Sequence, residues 1–491
     1  DIIRWCQEVK MKYKFKTKPF EHQAEALEKS CNEKYYALFM EMGTGKTKVA
    51  LDNLGVLYTE GKVQAALIIA PKGVYDNWVK VEIPKHLPEE IPTKVFRWQP
   101  KKTITFTNDL QSFVKERFEG LKILVMNVEA LSTQKGTTVA GIFLIQNEDN
   151  MIIVDESTTI KNRSASRTKN LMTLKSYSTY RRILTGSPIT KSPMDLYSQC
   201  SFLSTNALNF KSYYAFQGRY ALIKQRSFGA RSFQEIVGYR NLDELNEKLE
   251  EFSIRTLKED CLDLPDKLYT RRNITMSDEQ TTVYNQMKKL ALAQLDSGEL
   301  STTASILTQI MRLQQICCGF FQPDVGEIRP LTNNRLSELL DITDELQGKA
   351  IIWASFTFDI QQIAHALRDR FGPDSVALYY GETPQEERQG IVEKFQDPKS
   401  DLRFFVGQPK TGGYGITLSA ASTVIYYSNS YDLENRLQSE DRAHRIGQKK
   451  NVTYIDLVCP DTIDEKILEA LKNKISLSQK VFGEEARNWL E

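Results

Sequence analysis

The chain has 491 residues, 41% hydrophobic and 26% charged, with Lys+Arg at 65 against Asp+Glu at 63 and a formal net charge of +2. That describes an ordinary globular protein with core for roughly two to four domains; it excludes a polycationic coat protein but not a nucleic-acid binder whose basic residues gather in one cleft. No run approaches the ~18 apolar residues of a membrane helix and no signal-peptide pattern opens the chain, so no membrane partner is expected.

The first residue is Asp1 rather than methionine, and residues upstream are expected. Near the start, KMKYKFKTK puts Lys10, Lys12, Lys14, Lys16 and Lys18 at strict alternation, on one face of a strand. Such lysines read more readily as the guard of an exposed edge strand than as a DNA contact. Short apolar strands then alternate with helical stretches in two blocks. The first holds YYALFM (35–40), AALIIA (65–70), ILVMN (123–127), MIIVD (151–155) and RRILTG (181–186). The second holds KAIIWASF (349–356), SVALYYG (375–381), LRFFVG (402–407) and STVIYYS (422–428). Buried strands joined by helices imply parallel sheets, so each block reads as an α/β domain. Between them, 196–330 reads as mostly helical, with LPDKLYTRRNITMS (264–277) as an extended connector. Seven cysteines without a CxxC pair and four scattered histidines offer no zinc spacing. All seven read as reduced thiols of an intracellular protein, with no structural zinc.

Three stretches carry chemistry. FMEMGTGKTKVAL (39–51) follows an apolar strand and opens a helix. In the loop Met42-Gly43-Thr44-Gly45 the glycines allow a tight turn whose backbone N–H groups surround phosphate oxygens. Lys46 then reaches the β/γ-phosphates and Thr47 binds magnesium. Met40 stands where the usual first glycine of such a loop belongs. In MIIVDESTTIKN a strand runs into Asp155 and Glu156, which alone reads as a strand end reaching solvent. Downstream of a phosphate loop it reads instead as a magnesium-holding Asp155 and a water-polarising Glu156. In NRLQSEDRAHRIGQ (435–448), Gln438, Arg442 and Arg445 recur at spacings of four and three, on one helix face. They are either arginine fingers for the γ-phosphate or a solvated charged face, for which Glu440 and Asp441 speak. If all three stretches serve one nucleotide, ATP sits between the two blocks and its hydrolysis drives a hinge.

Taken together, these stretches resemble the Swi/Snf-type DNA translocases of helicase superfamily two, over roughly 18–482. EMGTGKT resembles DEMGLGKT, in which the first glycine is likewise missing. ALIIAPKGVYDNW is similar to motif Ia and ILVMNVEAL to motif Ib. DESTTIKNRSASRTKN is similar to DEAHRIKNPSSKRSKA, and ILTGSPIT to LLTGTPLQ. YYGETPQEERQGIVEKF and TGGYGITLSAASTVIYYSNSYDLENRLQSEDRAHRIGQ are similar to signatures particular to that family. MRLQQICCGF resembles MQLRKICNHP, which makes Cys317 and Cys318 helix-end residues.

The resemblance implies an α/β fold of two RecA-like parallel-sheet lobes. Lobe one spans 1–275 with a helical protrusion near 200–255; a second helical protrusion and linker span 276–330. Lobe two spans 331–491 and ends in a brace helix (462–482). It implies that Gln23 reads the adenine edge, with Phe20 or His22 near the base, and that Gln438 joins the nucleotide site. Lys72, Asn127, Ser355, Lys410, Thr411, Gly412 and Gly413 are expected along the DNA backbone. Thr185, Gly186 and Ser187 are expected to couple nucleotide to track, together with Thr158, which stands where DEAH carries histidine. The implied function is a magnesium-ATP-dependent motor on double-stranded or branched DNA, binding it without sequence preference. The alternatives are a strand-separating DNA or RNA helicase and an ATP-gated DNA clamp within a larger complex. No bromodomain-like, chromodomain-like or zinc-finger appendage is recognisable, which favours a bare motor in a prokaryote or a virus-infected cell.

Overall fold

The computed structural model describes residues 13–481 except 73, 101–102, 191, 229–230, 262–263, 297–302, 324–325, 413–415, 431 and 446. Lys10, Lys12 and Gly413 therefore lie outside the described residues. The described residues divide into two compact units, one of residues up to 263 together with 476–481 and one of residues 264–475. Among the described residues no helix is long and apolar enough to cross a membrane.

The first unit is built on seven strands: β1 (Tyr35–Met40), β2 (Ala65–Ala70), β3 (Thr93–Arg97), β4 (Leu121–Asn127), β5 (Asn150–Asp155), β6 (Tyr180–Leu184) and, after the hairpin β7 (Ala221–Phe228) and β8 (Arg231–Tyr239), β9 (Ser253–Thr256). The sheet runs β3-β4-β2-β5-β6-β1-β9, and each pairing is parallel. Alternate residues of each central strand enter different cores. Ala37, Phe39, Ile152 and Val154 pack on one face, and Leu38, Met40, Met151 and Ile153 on the other. That two-sided burial is why these strands read as unbroken apolar runs. The edge strands β3 and β9 are less apolar and went unread. Because all strands point the same way, the loops after β1, β2, β4, β5 and β6 leave from one edge of the sheet, where α/β proteins bind their ligands.

Two expectations for this unit change. The described residues Tyr13–Phe20 form no strand. Lys14, Lys16 and Lys18 do alternate outward, while the Tyr13 hydroxyl donates to Asp52 (3.1 Å) and Lys48 Nζ donates to the Thr17 carbonyl (2.8 Å). The segment is an extended clasp against the helix Lys46–Thr59, held by side chains instead of a strand ladder. The 200–255 region is also not all helical: β7 and β8 pair antiparallel between the helices Tyr213–Tyr220 and Leu242–Glu250. Neither ALIKQRSF nor RSFQEIVGY alternates apolar with polar residues, so the strands left little trace in the sequence beside the helices around them.

The second unit carries β10 (Lys267–Asn273), the short pair β11 (Phe320–Phe321) and β12 (Arg329–Pro330), β13 (Lys349–Trp353), β14 (Val376–Tyr379), β15 (Phe404–Gly407), β16 (Ala421–Tyr426) and β17 (Val452–Val458). Its six-stranded parallel sheet runs β10-β17-β16-β13-β15-β14. The stretch read as a connector is thus partly an edge strand, with Lys267 to Asn273 in register with Val452 to Val458. One helix, Thr303–Cys318, ends at Cys317 and Cys318, with Gly319 in the left-handed region (φ 99°) directly after it. The final helix spans Ile463–Val481.

Candidate functional site

In the first unit the loop after β1 turns through Gly43 and Gly45, both left-handed (φ 89° and 90°), into the helix Lys46–Thr59. A Cβ at Gly45 would lie 2.2 Å from Gln23 Nε2, the end of a side chain that can shift, so the left-handed backbone is what requires glycine. Lys46 is buried, and Thr47 follows it in the first turn. Thr44 Oγ1 and its N–H both donate to the Glu41 carbonyl, closing the loop on itself. Gln23 lies against this loop: Nε2 donates to the Thr44 carbonyl (3.0 Å), while Oε1 accepts the Phe20 N–H (3.1 Å). The His22 ring also meets the Thr44 carbonyl and stacks with Phe20 at 5.9 Å.

Asp155 ends β5 and is 5% exposed. Its Oδ2 accepts the indole N–H of Trp78 (2.8 Å) and its Oδ1 the Glu156 N–H (3.0 Å). Burial pushes this carboxyl above the ordinary range, while the Lys46 charge and the two donors pull it back. Glu156 adopts a left-handed conformation (φ 50°, ψ 62°), which costs a non-glycine residue about 1 kcal/mol or more. That turn aims its carboxylate at β6, where Oε1 accepts from Thr185 Oγ1 (3.0 Å). Thr185 Oγ1 in turn accepts the Ser187 N–H (3.2 Å). Gly186 lies against the phosphate loop, since a Cβ there would be 3.1 Å from Met42 N. The glycine loop, the acid pair and Thr185 to Ser187 thus adjoin in one assembly within the first unit. Thr158 is buried in the turn Ser157–Ile160 beside it, and its neighbour Ser157 donates to Gln199.

Lys72 follows β2 and Asn127 ends β4, strands that pair Ala70 with Asn127, so both stand at the same edge as the phosphate loop. Lys72 is exposed, and Asn127 Nδ2 donates to Glu129 (2.8 Å). In the second unit Ser355 follows β13, and Lys410, Thr411 and Gly412 follow β15, which pairs Trp353 with Gly407. Lys410 is exposed, while a Cβ at Gly412 would lie 2.5 Å from the Trp353 ring. The Ser355 N–H donates to Ser428 Oγ (2.8 Å).

The helix carrying Gln438 ends at Glu440, so Arg442 and Arg445 stand in the turns beyond it and not on one helix face. They still converge: Arg442 Nη1 and Arg445 Nη1 each donate to the Ile416 carbonyl at 3.1 Å. Arg442 Nε also reaches the Gln438 carbonyl (3.0 Å). The solvated-face reading fails, because Arg442 and Glu440 are each 1% exposed. Burial works to raise the Glu440 carboxyl, yet Lys267 and Arg436 hold it below its ordinary value. Arg436 pairs with Glu440 (2.8 Å) and Asp456 (2.6 Å) and lies over the Tyr426 ring at 3.6 Å. This network, legible in sequence only as charge, locks the helix onto β17.

The thiols also meet in an unforeseen way. Cys317, Cys459 and Asp464 place ligand atoms within 4.8 Å of one another, all buried. Arg335 stands at this trio, donating to Cys459 Sγ (3.3 Å) and to Asp464. A buried guanidinium there compensates the charge that a metal ion would otherwise meet.

The chain matches the SNF2-related domain over residues 23–321 and the helicase conserved C-terminal domain over residues 332–447. It belongs to the SNF2-related family. The SWI/SNF chromatin-remodeling complex subunit snf22 of Schizosaccharomyces pombe is 27% identical over 464 residues, 90% of this chain and 26% of snf22. The uncharacterized ATP-dependent helicase MG018 of Mycoplasma genitalium is 26% identical over 455 residues, 91% of this chain and 40% of that protein. The chain thus spans well under half the length of these relatives. A solved structure of the Sulfolobus solfataricus SWI2/SNF2 ATPase core in complex with dsDNA aligns over 96% of this chain and 94% of its own, at 25% identity and a TM-score of 0.42.

Two residues of this SNF2-related site escaped sequence reasoning. Trp78 holds Asp155; it lay in the YDNW stretch, and a lone buried tryptophan there was the available signal. Arg255 Nη1 donates to the carbonyls of Gly186 (2.9 Å) and Phe39 (3.2 Å), tying the β6 loop to β1. Nothing in its sequence surroundings marks it, because the contact joins segments 69 and 216 residues away.

Proposed function

We propose that this chain is a DNA-dependent ATPase that hydrolyses magnesium-ATP to move along double-stranded or branched DNA. The supporting observation is the buried assembly of the first unit, in which Glu156 is bonded to Thr185 and Gly186 packs on Met42. The group assigned to attacking water is there tied to a loop that packs on the phosphate loop and leaves from the same sheet edge as Lys72 and Asn127. The name of the Mycoplasma relative, an uncharacterized ATP-dependent helicase, agrees with this reading.

Lys46 and the left-handed glycine turn suit a triphosphate. Thr47 and Asp155 suit magnesium, since Asp155 is a buried carboxylate whose ordinary acidity is already strained by burial. Magnesium, when bound, supplies charge neutralisation on the phosphate oxygens. The chain's own groups orient water at Glu156 and hold the β/γ-phosphates at Lys46. Arg442 and Arg445 serve as the fingers that meet charge developing on the γ-phosphate. Gln23 reads adenine after releasing the Thr44 carbonyl. Lys72, Asn127, Ser355 and Lys410 to Gly412 follow the DNA backbone.

The test is steady-state ATP hydrolysis with no DNA and with single-stranded, duplex, forked and four-way DNA, with Lys46→Ala and Glu156→Gln as controls. Stimulation by at least one DNA, abolished in both variants, is expected. Equal rates with and without every DNA, or wild-type turnover in the variants, would overturn the reading.

A further inference from the structure

The helix Tyr213–Tyr220 carries four aromatic rings, and the fold does not use them alike. Phe216 and Tyr220 are fully buried, and Tyr213 packs edge-on against Tyr197 at 5.4 Å, so these three dock the helix on the core. Tyr214 takes no part in that docking and is 68% exposed. Ser212 caps the helix by accepting the Ala215 N–H (3.2 Å), which fixes the turn that presents the ring. A single exposed apolar residue is ordinary on a protein surface, and Tyr214 by itself would carry nothing.

It does not stand by itself. Arg163, from the segment after the acid pair, lays its guanidinium over the Tyr213 ring at 4.4 Å and the Tyr214 ring at 5.2 Å. Its Nη2 also donates to the Tyr214 hydroxyl (3.3 Å). Arg163 is itself exposed, as is Lys211, three residues before Tyr214. The neighbouring cations Lys161 and Arg167 turn inward instead, to Thr190 Oγ1 (2.5 Å) and the Thr159 carbonyl (2.7 Å). Arg163 stands where DEAHRIKNPSSKRSKA carries proline, so the resemblance does not supply it.

Charge around this cluster is one-sided. From Ser157 to Tyr220 the chain holds ten lysines and arginines against a single acid, Asp195, whereas the whole chain is balanced at 65 to 63. Asp195 is buried and accepts the Thr190 N–H and Oγ1, both at 3.0 Å. These segments therefore present cations and a ring to solvent, and no carboxylate. Position agrees with charge. β4 and β5 point the same way, so Asn127 and the segment carrying Arg163 leave from one edge of the sheet. Asn170 Nδ2, on the helix that follows Arg163, donates to the Leu131 carbonyl (2.7 Å) in the turn after Asn127.

We propose that Tyr214, Arg163 and Lys211 form a contact for a DNA strand with unpaired bases, and so direct the protein to forks and junctions. The ring stacks on an open base while the two cations meet the flanking phosphates. Bases within a duplex already have both faces covered by their neighbours, so an exposed ring favours a strand that is open. The proposal rests on the DNA-motor reading and adds a substrate class to it. An acidic protein surface is the competing occupant, and the experiment separates the two.

Binding of the full chain to a fork with single-stranded arms and to a blunt duplex of equal length is measured by fluorescence anisotropy across a KCl series. Tyr214→Ala is expected to weaken fork binding about fivefold or more, the loss of one stacked base, while changing duplex binding by less than about twofold. Tyr214→Phe keeps the ring and is expected to bind the fork within about twofold of wild type. The double variant Arg163→Ala/Lys211→Ala is expected to lower the slope of log affinity against log salt on the fork by about 1.4, at ~0.7 for each single-strand phosphate no longer neutralised. DNA-free ATP hydrolysis and thermal unfolding stay at wild-type values in all three. Wild-type fork affinity in Tyr214→Ala with a wild-type salt slope in the double variant would overturn the proposal and leave the acidic protein surface. Equal loss on fork and duplex in Tyr214→Ala, or equal loss in the alanine and phenylalanine variants, would also overturn it. Failure of the motor reading registers separately, as the absence of DNA-stimulated hydrolysis in the wild type.

Discussion

Replacing Thr185 by valine keeps the shape of a fully buried side chain and removes one hydroxyl. That hydroxyl donates to Glu156 Oε1 at 3.0 Å and accepts the Ser187 N–H at 3.2 Å. Both partners are left without that hydrogen bond in a site from which water is largely excluded, with Thr185 at 0% and Glu156 at 7% exposed. A hydrogen bond to a charged group is worth about 1.5–3 kcal/mol. If it holds Glu156 in its left-handed turn through the transition state, ~1.4 kcal/mol per factor of ten makes turnover fall roughly 10- to 150-fold. Thr185→Ser keeps the hydroxyl and should recover most of that loss, even though it leaves a methyl-sized void. The assay is DNA-stimulated ATP hydrolysis at saturating ATP, alongside thermal unfolding of each variant. Equal turnover in the valine and serine variants would refute the reasoning, because the bond and not the packing is held responsible.

Three further outcomes follow from the same geometry. Trp78→Phe removes the indole donor to Asp155 and should destabilise the first unit by about 2 kcal/mol or more, from a missing bond to a buried charge plus poorer packing; urea denaturation checks it, and an unchanged midpoint would contradict it. Arg436→Met removes the buried cation from Asp456, while Glu440 keeps Lys267, and should cost about 3–5 kcal/mol in the second unit, read by the same denaturation. Asp359, 2% exposed, has its carboxyl pushed up to about 8 by burial, with Arg335 opposing. The folded chain therefore keeps a proton that the unfolded chain releases near pH ~4. The stability this group contributes is greatest below that pH and falls by up to ~1.4 kcal/mol per pH unit as pH rises toward 8. Asp359→Asn should flatten that slope between pH 6 and 8, and identical slopes in variant and wild type would rule the account out.

The central strands of both sheets were legible because burial on two faces demands continuous apolar runs, as in AALIIA and MIIVD. The phosphate loop was legible because Gly-Thr-Gly-Lys-Thr after such a strand is a local pattern with a local mechanism. The edge strands β3, β9 and β10 were not, because an edge faces solvent and its composition approaches that of a loop. The pair β7 and β8 was hidden for a related reason: ALIKQRSF and RSFQEIVGY carry no apolar–polar alternation and stand inside a helical region. Glu440 illustrates the opposite error. Its charge suggested a solvated helix face, yet Arg436, Lys267 and Tyr269, the last two from a strand more than 160 residues earlier, bury and neutralise it.

Sequence by itself determined the parallel α/β class, the positions of the glycine loop and the acid pair, and which residues are proposed for nucleotide. These depend on spacing along one strand, turn or helix, where neighbours in sequence are neighbours in space. Tertiary structure alone decided what each of those residues touches. Glu156 meets Thr185 because β5 and β6 pair in parallel with Asp155 beside Leu184. Asp155 meets Trp78 across 77 residues, and Arg442 and Arg445 meet at Ile416 through a turn that no helical periodicity describes. Such contacts are set by strand order and register, which depend on the whole sheet closing its hydrogen bonds at once and on no single segment.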